Sequence, residues 1–167
     1  MPSTYLGFPG TTGLETMDYR LTDALAGAVG EDDQWYTERL VRLNGRFLCY
    51  GPPGDAPGVG PVPALSAGQI TLGSFNNLSK ITPELVRLWA RVLGAVPGSR
   101  MMLKSKAFAD QEIQARILGL FQGHGVTSGR SDLVDFVPDT KGHLSVYNQV
   151  DIALGTFPYN GTTTVEA

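Results

Sequence analysis

The chain has 167 residues, 42% of them hydrophobic and 17% charged, with a formal net charge of −3. That composition is globular, and its mild acidity excludes a generic nucleic-acid or anionic-membrane surface while leaving room for a local basic pocket. There is no apolar run near the roughly 18 residues of a membrane span, no charged-then-apolar leader after Met1, and one cysteine, Cys49, too few for a disulfide or a zinc cluster.

Residues 3–13, STYLGFPGTTG, read as a short strand running into a glycine-rich loop. The loop matches neither G-x-G-x-x-G nor a P-loop. Residues 18–33 read as irregular because Asp and Gly cluster there. A short helix over residues 34–39 and a strand around residues 46–50 follow, with Trp35 and Tyr36 as packing residues and Cys49 as a small buried hydrophobe.

Residues 51–68 alternate five prolines with glycines, a pattern in which no helix or central strand is expected to persist. This is the expected linker, dividing a first lobe over residues 1–50 from a second over residues 69–167.

Beyond the linker the pattern becomes regular. A strand is expected over residues 70–75. The helix over residues 83–95 has Thr82 as N-cap, Pro83 at its first position and an apolar face of Leu85, Leu88, Trp89, Val92 and Val96. Strands over residues 101–104, 133–137 and 151–154 alternate with a helix over residues 110–122, whose Ile113, Ile117, Leu120 and Phe121 share a face, and a helix within residues 138–147 capped by Asp139 or Thr140. Residues 162–167 open one more helix, five residues or so being too few to hold it, so a truncated C-terminus is expected. The order β-α-β-α-β-α-β is that of an α/β fold with a parallel sheet.

In such a sheet the loops leaving the strand carboxyl ends share one edge, where ligands bind. Those loops gather Asn76, Asn77, Ser79, Lys80, Lys104, Lys106, Thr140, His143, Asn160 and the threonines 162–164. Cations, amides and hydroxyls converging on one edge suit a phosphorylated ligand. Lys80 is the oddity among them, because it precedes a helix N-terminus, where the dipole disfavours a cation and a bound anion would remove the conflict. Two histidines without an acidic cluster make a metal site unexpected, and Asp151 reads as the edge of a strand rather than a general base.

Four stretches together, YLGFPGTTGLETMDYRLTD, FNNLSKITPELVRLWARVLGAVPGSRMMLKSKAF, PDTKGHLSVYNQVDIAL and TFPYNGTTTVEA, resemble the bacterial O-linked N-acetylglucosamine transferase (Spindly-related) family over nearly the whole chain. The resemblance implies a GT-B type fold with two Rossmann-like lobes, of which the first is here a remnant. It implies an inverting, metal-independent glycosyltransferase without a cofactor, using UDP-N-acetylglucosamine as donor and protein Ser/Thr hydroxyls as acceptors. Upstream tetratricopeptide repeats would recruit those acceptors, and the compartment would be cytoplasmic, without nucleic-acid or membrane partners.

Carried over by motif, Asn77 and Lys80 would meet the donor diphosphate, with Lys80 as the catalytic group neutralising the leaving nucleotide. Pro138 and Thr140 would lie beside the base and ribose with His143 nearby. Thr162 and Thr163 would bind phosphate, Glu166 the ribose, and Leu6, Gly7 and Pro9 would belong to the segment closing over the sugar. Gly155 stands where the family's pattern has Asp, and the threonine run is one residue short. The first-lobe segment with the family's essential histidine does not appear, so the chain is expected to be an inactive piece of such an enzyme. The competing expectations are a GDP-fucose-using protein fucosyltransferase, a non-catalytic nucleotide-binding module, and a nucleotide-sugar epimerase, which would need carboxylates near the sugar.

Overall fold

The computed structural model describes residues 1–8 and 10–161. The chain divides into two compact units, Met1–Gly51 and Pro52–Ala167.

In the first unit three short parallel strands, β1 (Ser3–Thr4), β2 (Tyr19–Thr22) and β3 (Arg39–Arg42), lie side by side in chain order. Its interior is polar. Among its described residues Leu40 is the one buried apolar side chain, beside buried Arg20, Thr22, Asp23 and Glu38. Hydrogen bonds therefore do much of the holding. Asp23 accepts from the backbone N–H groups of Leu25, Ala26 and Phe47 at 2.8, 2.8 and 3.0 Å. Arg42 grips Asp33 through two nitrogens, at 3.1 and 2.8 Å, and donates to the carbonyls of Gly27 and Ala28.

This interior overturns four expectations. The segment read as irregular contains β2. The strand expected over residues 46–50 is β3 instead, in Arg39–Arg42, and the helix expected over residues 34–39 is a single 3-10 turn, Asp33–Trp35. Trp35 is 69% exposed and Cys49 is exposed as well, so neither packs as expected. The physical reason is common to all four. Paired backbone and buried charge, rather than an apolar stripe, define these strands.

The second unit holds a four-stranded parallel sheet made of β4 (Thr71–Ser74), β5 (Arg100–Lys104), β6 (Ser131–Val134) and β7 (Ile152–Ala153), in the order β6-β5-β4-β7. The strands expected from the sequence are all present, with the third beginning two residues earlier. Between them run α2 (Pro83–Ala95), α3 (Gln111–Gly123) and α4 (Thr140–Ser145), preceded by the short α1 (Ala64–Ala67). The caps follow local chemistry. Thr82 accepts from the Leu85 N–H at 3.2 Å, Asp110 from Glu112 at 2.8 Å, and Asp139 from Gly142 at 2.7 Å. At the other end of α2, Arg130 donates to the Leu93 carbonyl at 2.7 Å, a group the helix leaves open, and to the Ser99 carbonyl beyond the helix at 2.8 Å.

The core packs Leu72, Met101 and Leu103 of the sheet against Leu85, Val86, Trp89 and Leu93 of α2 and Ile117 and Phe121 of α3. On α2 the buried face is therefore Leu85, Val86, Trp89, Ala90 and Leu93, while Leu88 and Val92 are 36% and 40% exposed. The expected face was rotated, because this helix is apolar on its flank as well as on its inner side.

The proline-rich stretch also departs from expectation, since α1 forms in it. Pro63 needs no N–H at the helix start, three of the four following residues are Ala or Leu, and Gly68 ends the turn at φ 68°. Asp151 ties this segment to the sheet, accepting from the N–H groups of Ala64 and Thr71, both at 2.8 Å.

Candidate functional site

Four parallel strands end on one edge, and the strand order reverses between β4 and β7. A reversal of strand order is where open parallel sheets form a crevice at the strand carboxyl ends. A cleft of about 490 Å³ occupies the β4–β5–β6 side of that edge. Asn76, Asn77 and Leu78 line it from the loop after β4, Lys104 to Ala107 from the end of β5, and Phe136 to Thr140 with His143 from the segment that leads into α4.

Of the residues expected to bind a ligand, the cleft brings together Asn77, Pro138, Thr140 and His143. Asn77 Oδ1 accepts from both the backbone N–H and the hydroxyl of Ser79 at 3.1 Å. A backbone N–H can only donate, so the amide oxygen faces Ser79 and the amide nitrogen is the group left for a ligand. Beside it Asn76 is buried, donating to Ser74 Oγ at 3.2 Å, while its Oδ1 has no hydrogen-bond partner among the described residues.

The floor of the cleft carries a pair whose contact the sequence does not announce. Lys104, the last residue of β5, is only 7% exposed, and its Nζ lies 2.5 Å from His143 Nδ1. Burial pushes the Lys104 amine below its usual 10.5, and burial together with the Lys104 charge pushes His143 below 6.5. The imidazole is further boxed in by Tyr147, edge-on at 5.8 Å between ring centres, and Phe75 at 6.5 Å. At the rim, Lys106 stands 5.8 Å from the centre of the Phe136 ring, which is 54% exposed. Phe136 was not singled out from the sequence. The available signal was an aromatic at the end of a strand on the ligand edge.

Lys80 is not among the lining residues. Its ammonium reaches across to the loop after β7, donating to the Asn160 carbonyl at 3.3 Å and lying 4.4 Å from the centre of the Tyr159 ring. Those contacts answer the oddity of its place before α2. Gly155 has a role in the same loop. A Cβ there would collide with Asn160 Oδ1, which accepts from the Gly161 N–H at 2.9 Å. The glycine that departs from the family's pattern is what lets Asn160 fold back beneath Lys80.

Leu6 and Gly7 belong to the first unit. Leu6 has φ 60°, a conformation costly for a residue with a Cβ, inside a tight turn in which the Gly7 N–H donates to the Tyr5 carbonyl at 2.9 Å. Pro9, Thr162, Thr163 and Glu166 lie outside the described residues. Among the described residues no group of three His, Cys, Asp or Glu side chains could hold a metal ion, and no helix is long and apolar enough to cross a membrane.

No family model matches the chain. Curated relatives do. It is 47% identical over 161 residues to a tomato (Solanum lycopersicum) protein named "Probable UDP-N-acetylglucosamine--peptide N-acetylglucosaminyltransferase SPINDLY", and 48% identical to its Arabidopsis thaliana namesake. Each alignment covers 96% of this chain, but only 17% and 18% of those proteins, so the chain spans about a sixth of their length. Among solved structures, a lysine-to-methionine mutant of the Thermobaculum terrenum O-GlcNAc transferase superposes with a TM-score of 0.88 at 39% identity, over 97% of this chain and 30% of that one. The α/β, GT-B type fold expected from the sequence is thereby borne out, with the parallel Rossmann-like sheet as its visible core.

Proposed function

We propose that this chain, homologous over almost its whole length to SPINDLY and O-GlcNAc transferase proteins, is the donor-binding part of a protein glycosyltransferase. The enzyme would transfer N-acetylglucosamine from UDP-N-acetylglucosamine to Ser/Thr hydroxyls, inverting at the anomeric carbon and using neither metal nor cofactor. The hydroxyl oxygen attacks that carbon and gives up its proton to solvent, the bond to the diphosphate breaks, and the electron pair leaves with UDP. Residues 69–167 serve as the donor lobe, residues 51–68 as the linker and residues 1–50 as a remnant of the first catalytic lobe. Acceptor proteins are recruited by repeats outside this chain, in the cytoplasm.

One observation carries the reading. Asn77, Pro138, Thr140 and His143, separated by some 60 residues of sequence, line a single cleft on the ligand edge of a parallel sheet. The position of Lys80 supports its assigned role. Its present partners are a long hydrogen bond to an uncharged carbonyl and a ring face, and a diphosphate offers a stronger contact between opposite charges. On that exchange Lys80 would swing from the Asn160 loop to the leaving nucleotide. Thr162, Thr163 and Glu166 would complete the phosphate and ribose contacts, and Leu6, Gly7 and Pro9 the cover over the sugar.

Titrating UDP and GDP into the wild-type chain and a Lys80→Ala variant tests this. Removing one charge-assisted contact should cost about 1.5–3 kcal/mol of nucleotide binding. Equal affinity of both proteins would remove Lys80 from the phosphate site, and a preference for GDP would redirect the donor to GDP-fucose. With UDP-N-acetylglucosamine and a Ser/Thr peptide, the chain alone should transfer no sugar; measurable transfer would refute its reading as a part.

A further inference from the structure

We infer that Lys104 is a positioning residue that holds His143 neutral, with its proton on Nε2, so that the cleft meets its ligand with an uncharged ring and one N–H donor. The inference rests on the donor-site reading for its ligand but on geometry for its substance. Lys104 Nζ and His143 Nδ1 are 2.5 Å apart, Lys104 is nine-tenths buried, and His143 lines the cleft. An ammonium has three donors and no acceptor, so the ring nitrogen facing it must offer a lone pair. The proton of the neutral ring is then on Nε2, which has no partner among the described residues. Tyr147 and Phe75 lie against the same ring, and a half-turn of it would put Cδ2 rather than Nδ1 against the ammonium and forfeit this hydrogen bond.

The charge consequence follows from the neighbours on every side. Among the residues lining the cleft, the end of β5 contributes Lys104 and, farther along the rim, Lys106, the loop after β4 the uncharged Phe75, Asn76, Asn77 and Leu78, and the segment entering α4 one carboxylate, Asp139. That carboxylate is engaged at the α4 cap by the Gly142 N–H. The phenol of Tyr147 stands edge-on to the ring, and Lys80, from the loop after β4, is turned to the Asn160 carbonyl. A second cation on His143 would therefore stand directly against Lys104. The positive charge of the cleft floor belongs to the lysine, and the imidazole works as a flat, neutral hydrogen-bond donor.

The test is nitrogen-detected NMR of the histidine side chains in the wild-type chain and in Lys104→Met, an apolar side chain of similar length. Near neutral pH the wild type should show His143 as a single neutral form with its proton on Nε2, and acidification should charge it only below the ordinary imidazole value. In Lys104→Met the ring should take up a second proton at a distinctly higher pH. A wild-type ring protonated on Nδ1, or already an imidazolium near neutral pH, overturns the assignment without any need for the variant to fold. An unchanged titration in a folded variant overturns it too. UDP is titrated into the same samples. It should bind the wild type about as well near pH 6 as near pH 8 so far as the ring is concerned, and should gain a pH dependence in Lys104→Met. Failure of UDP to bind the wild type overturns the donor-site reading, whereas the ring's protonation state decides the role of Lys104, so the two fail separately.

Discussion

Glu38 shows how much a single side chain can organise in the first unit. It is 3% exposed and accepts hydrogen bonds from Thr11 Oγ1 at 2.7 Å, from the Thr12 N–H at 2.6 Å and from the Thr12 hydroxyl. Burial works against its charge, but the bonds from Thr12 and Thr11 outweigh that and bring the carboxyl from 4.5 down to about 2. A group whose pKa is depressed on folding adds stability above its unfolded value and loses that contribution as pH falls toward its folded one. The glycine-rich loop should therefore loosen on acidification between these two values. Glu38→Gln should lower the stability of the unit near neutral pH and flatten its decline in acid, read by thermal unfolding followed through the amide signals of Thr12 and Leu40. An acid decline equally steep in the variant would assign the effect to another group. Nothing in the hydrophobic pattern signals this residue, because an acid inside a threonine cluster looks like surface until its partners, some 26 positions away, are in place.

At the scale of elements, β4 is the strand through which the sheet is organised, and Gly73 is the reason β7 can pair with it. A Cβ on Gly73 would lie 2.5 and 2.7 Å from the two methyls of Val150, the residue leading into β7. Gly73→Ala should destabilise the second unit by about 1–3 kcal/mol through overpacking. Adding Val150→Ala to it should restore part of the loss, a coupling that denaturant titration of both single variants and the double variant would measure. Simple additivity would show that the two side chains do not compete for the same space. The elements of this unit were legible because apolar periodicity, Thr82–Pro83 and Asp110 all point to the same boundaries. In the first unit such agreement fails, since β2 and β3 bury Arg20, Thr22 and Glu38 in or beside strands of four residues, while the apolar run ending in Cys49 stays outside. The site was legible to the same extent. Asn77, Thr140 and His143 follow from loops leaving parallel strands and Pro138 from the family resemblance, but the Lys104–His143 contact joins positions 39 residues apart through side-chain rotation, which no spacing encodes.

Across the second unit as a whole, Asp151 joins three parts of the chain: the proline-rich segment at Ala64, the start of β4 at Thr71 and the entry to β7. Asp151→Ala removes a charged acceptor from two backbone donors and should cost about 2 kcal/mol or more. Limited proteolysis should then cut faster within residues 52–68, and an unchanged cleavage rate there would mean that Asn148, which bonds Gly58 and Gly60, holds the segment alone. The sheet order has a further bearing on the birth of the molecule at the ribosome. Chains emerge from the N-terminus, and β4, β5 and β6 are adjacent both in the sheet and in order of synthesis, so the cleft has all its walls once His143 is out. The partner strand on the other side of β4 is made after these three, and then the Asn160 carbonyl that receives Lys80. Until then the central strand of the finished sheet is a nascent edge, open to any extended segment nearby, and Lys80 waits without its resting place. The newborn chain thus acquires its ligand-binding floor before it acquires the latch for the lysine beside it.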